Sequence, residues 1–134
     1  MLRAVRVGPF VGVELEVGEV EEIGVIDTQG GVGFQALPEV ASGFDFEDSL
    51  RVVGRAVVGG NAPVDVRAGR LAGALLMGSH RFERPRIAVH PLPPDLPSRM
   101  TIGSRVLSQF VLTIDQRAMA VRLVRADSAA IKDV

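Results

Sequence analysis

The stretch that most narrows the fold is Phe10-Val11-Gly12-Val13-Glu14-Leu15-Glu16-Val17, in which apolar residues alternate with polar or small ones. Successive side chains on a strand point to opposite faces, so this spacing puts Val11, Val13, Leu15 and Val17 on one side and Glu14 and Glu16 on the other. Gly18-Glu19 offers a turn, and Val20 to Ile26 carries a second strand back. The hairpin runs into Gly24-Val25-Ile26-Asp27-Thr28-Gln29-Gly30-Gly31-Val32-Gly33. A carboxylate and then a hydroxyl are thereby delivered to the mouth of a glycine-rich bend. Read locally, Asp27 and Thr28 either end a strand, as such residues do at turns, or place an acid where other side chains can meet it. Glu14, Glu16, Glu21 and Glu22 read as a solvated outer face rather than a metal cluster.

The remaining segments are short and mostly extended. Phe34 to Gly43 predicts a brief strand and one helical turn, with Pro38 at the first helical position and Gly43 as the stop. Ser49 to Val58 alternates weakly, Gly59-Gly60-Asn61 is a hairpin signal, and Ala62 to Val66 returns. Two short runs flank a Gly78-Ser79-His80 turn, and Arg86 to His90 is a further strand. His80 and His90 fall at element edges without ligand spacing around them and read as solvated turn residues, so no metal site is implied. Pro91 to Pro97 is an extended connection. Val106, Leu107, Phe110 and Val111 have the spacing of a buried helical face, with Ser104 as N-cap. A C-terminal hairpin follows, Val111 to Asp115 and Met119 to Val124, and the tail after Asp127 reads as frayed or a short helix.

Composition sets the outer limits. The 134 residues are enough for one domain, 1–134, that buries about two-thirds of its unfolded surface without a staple. There is no Cys, which excludes disulfides, thiol catalysis and thiolate metal sites. Fifteen Lys and Arg against 16 Asp and Glu give a net charge of -1, so no overall basic surplus points to nucleic acid or an anionic membrane. Mean hydropathy is +0.28. Even so, Gly, Pro or a charge breaks every apolar run short of the roughly 18 residues of a membrane span. No secretory signal is visible at the start, which predicts a cytoplasmic protein, or a periplasmic or membrane-anchored one if the native chain is longer.

Taken in order, these features resemble the retropepsin-like aspartic peptidases, especially their bacterial single-domain relatives. The resemblance runs from about Val7 to Leu123. It rests on the hairpin ending in Ile26-Asp27-Thr28 with glycines behind it, on the hairpin tipped by Gly59-Gly60, and on the run Leu76-Met77-Gly78 to Phe82 with its following strand. The fourth and most specific block is Ile102-Gly103-Ser104-Arg105-Val106-Leu107-Ser108-Gln109-Phe110 leading into Thr113-Ile114-Asp115.

The resemblance implies an all-β, closed acid-protease barrel with one short C-terminal helix, acting as an endopeptidase without a cofactor. Asp27 is then the catalytic acid. Thr28, Gln29, Gly30 and Gly31 form its supporting loop, Val58, Gly59, Gly60 and Asn61 the tip of a flap, and Gly103 and Leu107 structural supports. Two carboxylates must share one proton across a water, and only one Asp-Thr block with glycine behind it is present. The resemblance therefore implies a homodimer with a peptide or protein lying across its axis. This chain departs from the family at Gln29, where the family has Gly directly after Asp-Thr. Either the loop carries a one-residue insertion, with Gly30-Gly31 making the bend, or the domain keeps the fold and binds peptide or assembles without cleaving. A phosphate-cradling role for the glycines is disfavoured, because neither a long helix nor a Lys-Ser or Lys-Thr pair follows them.

Overall fold

The alternation of Phe10–Val17 is realised as strand β2, in which Val13, Leu15 and Val17 are buried while Glu14 and Glu16 are exposed. The computed structural model describes residues 2–28, 32–57, 62–92 and 98–126. Strand β3 (Val20–Ile26) returns antiparallel to β2, and Gly18 takes the left-handed φ of 61° that closes the turn. Glu14, Glu16 and Glu21 lie outside as expected. Glu22 does not: it sits opposite buried Leu15, its side chain is only 14% exposed, and it pairs with Arg99 at 3.4 Å.

Strand β1 (Leu2–Val7), which no alternation announces, pairs with the first half of β2 on the side away from β3. The second half of β2 is flanked on that same side by β7 (Ala74–Met77), which forms a hairpin with β8 (His80–Glu83). One long strand thus serves two partners along the same edge.

The remaining strands are β4 (Phe34–Ala36), β5 (Arg51–Ala56), β6 (Val64–Arg70), β9 (Arg86–Val89), β10 (Met100–Ile102), β11 (Phe110–Asp115) and β12 (Ala120–Arg125). Their order is β11-β12-β1-β2-β3-β10-β4-β9-β6-β5, with β7 and β8 off this path. The chain is mostly β, as the sequence predicts. Among the described residues, however, the path runs open from β11 to β5, so the expected closure into a barrel is not seen.

Among the described residues there are two single-turn helices, α1 (Pro38–Ala41) and α2 (Ser104–Leu107). Pro38 opens α1 as predicted. The second helix is shorter than its apolar spacing suggests, because Phe110 and Val111 belong to β11 and not to a helical face. Its N-cap is Gly103, and Ser104 makes no side-chain cap. Buried Val106 and Leu107 still tie α2 to the core.

At the centre of the core, the Phe82 ring meets Phe34 edge-on at 5.2 Å and Phe110 at 6.3 Å, linking β8 to β4 and β11. Partners this close contribute about 0.5–1.5 kcal/mol beyond their buried area. His80 is not the solvated turn residue that its position in the sequence suggests. It is half-buried on β8, its ring lies 4.7 Å from that of Phe110, and its Nε2 donates to the Leu123 carbonyl at 3.1 Å. His90 is half-buried just beyond β9, with Nδ1 2.7 Å from the Pro91 carbonyl.

Packing is tightest where β3 meets β10. A Cβ on Gly24 would come within 2.6 Å of Leu15 Cδ1 and 2.9 Å of two Ile102 carbons. Leu15 and Ile102 are fully buried and have nowhere to retreat. Gly24→Ala is therefore expected to destabilise the fold by about 1–3 kcal/mol, read as a lower denaturant midpoint with unchanged slope.

A second polar strut holds the segment before β5. The Glu47 carboxylate pairs with Arg84, while the Glu47 N–H donates to Arg70 O at 2.9 Å. The hydrogen bond from Arg84, with the charges of Arg84 and Arg70, holds the Glu47 carboxyl below the usual carboxylate range. A depressed folded-state value means the pair contributes above the unfolded value and is lost as pH falls through the folded one. Hence the difference in melting temperature between wild type and Glu47→Gln should be present at neutral pH and should vanish below the usual carboxylate range.

Candidate functional site

Asp27 is the first residue beyond β3, half-buried, and Thr28 beside it is exposed. What fixes them is β10, which lies between the two strands that flank the bend. β10 runs parallel to β3 with Ile102 beside Ile26, and antiparallel to β4 with Ile102 beside Phe34. The pairing continues into the bend from both sides. The Asp27 N–H donates to Ile102 O at 2.9 Å, and the Gly103 N–H donates to Gly33 O at 2.9 Å. One step further, the Arg105 N–H reaches Val32 O at 3.3 Å, and the Gly103 carbonyl accepts from the Val106 and Leu107 N–H groups at 3.1 Å each.

Gly103 and Leu107, read from the resemblance as structural supports, both lie at this junction. Gly103 is buried, bonds to the far side of the bend and caps α2; Leu107 anchors α2 in the core. Gln29, Gly30 and Gly31 lie outside the described residues. Among the residues that these hydrogen bonds gather at the bend, Val32, Gly33, Ile102, Gly103 and Arg105, Asp27 supplies the only carboxylate. A general acid and a general base cannot both come from one such group at one moment. These residues therefore bring one carboxylate to the bend.

The hairpin read as a flap consists of β5 and β6, paired antiparallel with a bulge between Val52 and Gly54. Its tip, Val58, Gly59, Gly60 and Asn61, lies outside the described residues, as do residues 93–97 of the Pro-rich connection and the tail from 127. Among the described residues the hairpin is connected to the bend through β9 and β4, since β6 pairs with β9 and β9 with β4. β5 is the outermost strand, and Val52, Val53 and Val57 are more than half exposed. A strand so little packed has few contacts to hold it against the core.

The strand that organises the site has no signature in the sequence pattern. Met100-Thr101-Ile102 is too short to show a period, and all three side chains are buried, so no alternation betrays it. Ser98 starts it: its hydroxyl donates to Met100 O at 2.5 Å. The usable signal was Ile102 placed directly before Gly103 in the block that carried the family resemblance.

Comparison with solved structures finds a similar fold elsewhere. The chain resembles the crystal structure of a retropepsin-like aspartic protease from Rickettsia conorii, with a TM-score of 0.61 and 19% identity over 87% of this chain and 84% of that one. The fold is retropepsin-like. No protein-family model matches the sequence, and no curated protein does. At this identity the likeness speaks to the retropepsin-like fold alone, and the chemistry has to be argued from the bend. No described helix is long and apolar enough to cross a membrane.

The buried end of β10 can be tested directly. Ile102 is fully buried, so Ile102→Ala should cost about 2–5 kcal/mol of stability, measured by denaturant unfolding. A loss below about 0.5 kcal/mol would contradict an organising role for β10.

Proposed function

We propose that this chain is one half of a homodimeric aspartic endopeptidase in which Asp27 of each copy contributes a carboxylate to a shared water. The observation that carries the reading is the backbone clamp on the bend, in which Ile102 O accepts from the Asp27 N–H at one end and the Gly103 N–H donates to Gly33 O at the other. A catalytic acid must be held in place before substrate arrives, and this one projects from a strand end pinned by buried neighbours. Two such acids about 3 Å apart cannot both ionise. One then takes a proton from water while the other protonates the peptide group, and the pair titrates as a unit. Thr28 steadies the paired loops, and the β5–β6 hairpin closes over an extended peptide.

A second reading is favoured by Gln29. A Gly at that position would take a left-handed φ without steric strain, whereas Gln resists one and carries a bulkier side chain. On this reading the domain holds an extended peptide or assembles with partners but does not cleave.

Activity on an unfolded protein substrate across acidic pH separates the two. The peptidase reading expects cleavage that Asp27→Asn reduces by at least about 10³-fold while the solution mass stays that of a dimer. Cleavage retained in Asp27→Asn, or a monomer at micromolar concentration, overturns it. Wild-type protein that is inert at every pH but cleaves as Gln29→Gly establishes the second reading.

A further inference from the structure

Alternation along β6 puts Asp65, Arg67 and Gly69 on one face of the strand, and Val89 of β9, directly opposite Arg67, joins them there. Gly69 has no side chain of its own to cover that face. A Cβ on it would come within 2.8 Å of Leu50 Cδ2 and 3.2 Å of Phe46 Cδ1, so the segment before β5 lays both side chains against β6 at this point. The Phe46 ring is in turn 6.3 Å from that of Phe44, tilted by 51°.

These side chains do not fill the space between β6 and α1. A pocket of about 610 Å³ remains, with Phe44, Phe46, Leu50, Val89, Pro38 and Pro91 in its apolar lining. Phe46 and Leu50 are only half-buried there. Small-molecule sites have this size and this mostly apolar and aromatic lining, with a few polar groups that fix orientation. Four titratable side chains reach the same pocket, Asp48, Asp65, Arg67 and His90. Two are engaged locally: Asp65 pairs with Arg55 at 3.6 Å, and His90 Nδ1 lies 2.7 Å from the Pro91 carbonyl. Asp48 and Arg67 form no ion pair, either with each other or with any other described residue. They stand on different walls, Asp48 on the segment before β5 and Arg67 on β6. An apolar body is thus combined with one carboxylate and one guanidinium that do not satisfy each other.

We infer that this pocket binds a free α-amino acid with a large apolar side chain, taken as its zwitterion. The ligand side chain covers Phe46, Leu50 and Val89, its carboxylate pairs with Arg67, and its ammonium pairs with Asp48. A guanidinium fork donates to both oxygens of a carboxylate, and an acid on the opposite wall matches the cation at the other end of the same small molecule. A ligand with only one of these charges leaves the second pocket group unmatched. None of the lining residues belongs to the Asp27 bend, so the site does not depend on whether that bend cleaves peptides.

The isotope-labelled full chain is titrated with L-phenylalanine at neutral pH and constant ionic strength, following backbone amide NMR shifts. Saturable shifts at Leu50, Arg67 and Val89 are expected. Phenethylamine and 3-phenylpropionate keep the ring and one charge each, and should bind about threefold to tenfold more weakly. Arg67→Gln should weaken phenylalanine by a similar factor and leave phenethylamine unchanged, whereas Asp48→Asn should weaken phenylalanine and leave 3-phenylpropionate unchanged. Both residues are exposed, so unchanged spectra away from the pocket report that the fold is kept. The absence of saturable shifts with phenylalanine, or equal affinity for either single-charge analogue, overturns the proposal. Glycine binding as tightly as phenylalanine, or variants that weaken every ligand alike, also overturns it.

Discussion

The molecule depends on three residues wedged into a gap. Met100-Thr101-Ile102 forms β10, the strand between β3 and β4, and the segment joining those two strands carries Asp27. Without β10, the inner edges of β3 and β4 would expose backbone N–H and C=O groups within the protein, at a cost of about 1–3 kcal/mol for each buried group left unpaired. With it, the ladder extends to Asp27 on one side and Gly33 on the other, and the bend is gripped at both ends. Gly24 lets the strands come close enough for this, since any larger side chain would meet Ile102.

Polar interactions play a different part away from the core. Arg84 holds a left-handed φ of 48°, which an L-residue adopts at some cost, and each of its polar groups is engaged. Its N–H donates to Gly73 O at 3.0 Å, its carbonyl accepts from Arg70, and its guanidinium pairs with Glu47. The segment before β5 is further tied by Ala72 N–H to Asp45 O and by the bridge between Phe46 and Leu71. The root of the hairpin is therefore anchored through charge and backbone, while its outer strand stays weakly packed.

Much of this was legible in the sequence where a period had room to repeat. The β2–β3 hairpin, the placement of Asp27 at its end, Pro38 opening a helical turn and the C-terminal hairpin all followed from spacing and turn chemistry. The errors share a cause, which is that local pattern cannot report a distant partner. β1 carries little alternation of its own and is held by β2 and β12. The spacing of Val106, Leu107, Phe110 and Val111 looks helical, yet Phe110 is drawn into a strand by its pairing opposite Arg125. His80 looked like a turn residue until β12 supplied the carbonyl that its Nε2 bonds. Closure of the sheet was an inference from resemblance, and among the described residues the strand path does not join its ends.

The insertion of β10 also sets the order in which the molecule can come together. Asp27 and the strand that clamps it are separated by roughly 75 residues, so the contact that shapes the bend is a long-range one that forms only after a large loop has closed. The β2–β3 hairpin, by contrast, can form from neighbours alone. During synthesis the acid therefore emerges early on a hairpin whose far side has no support, and it is organised only when Ile102 and Gly103 have followed. A growing chain carries the carboxylate for roughly 75 further residues before it possesses the strand that shapes the bend.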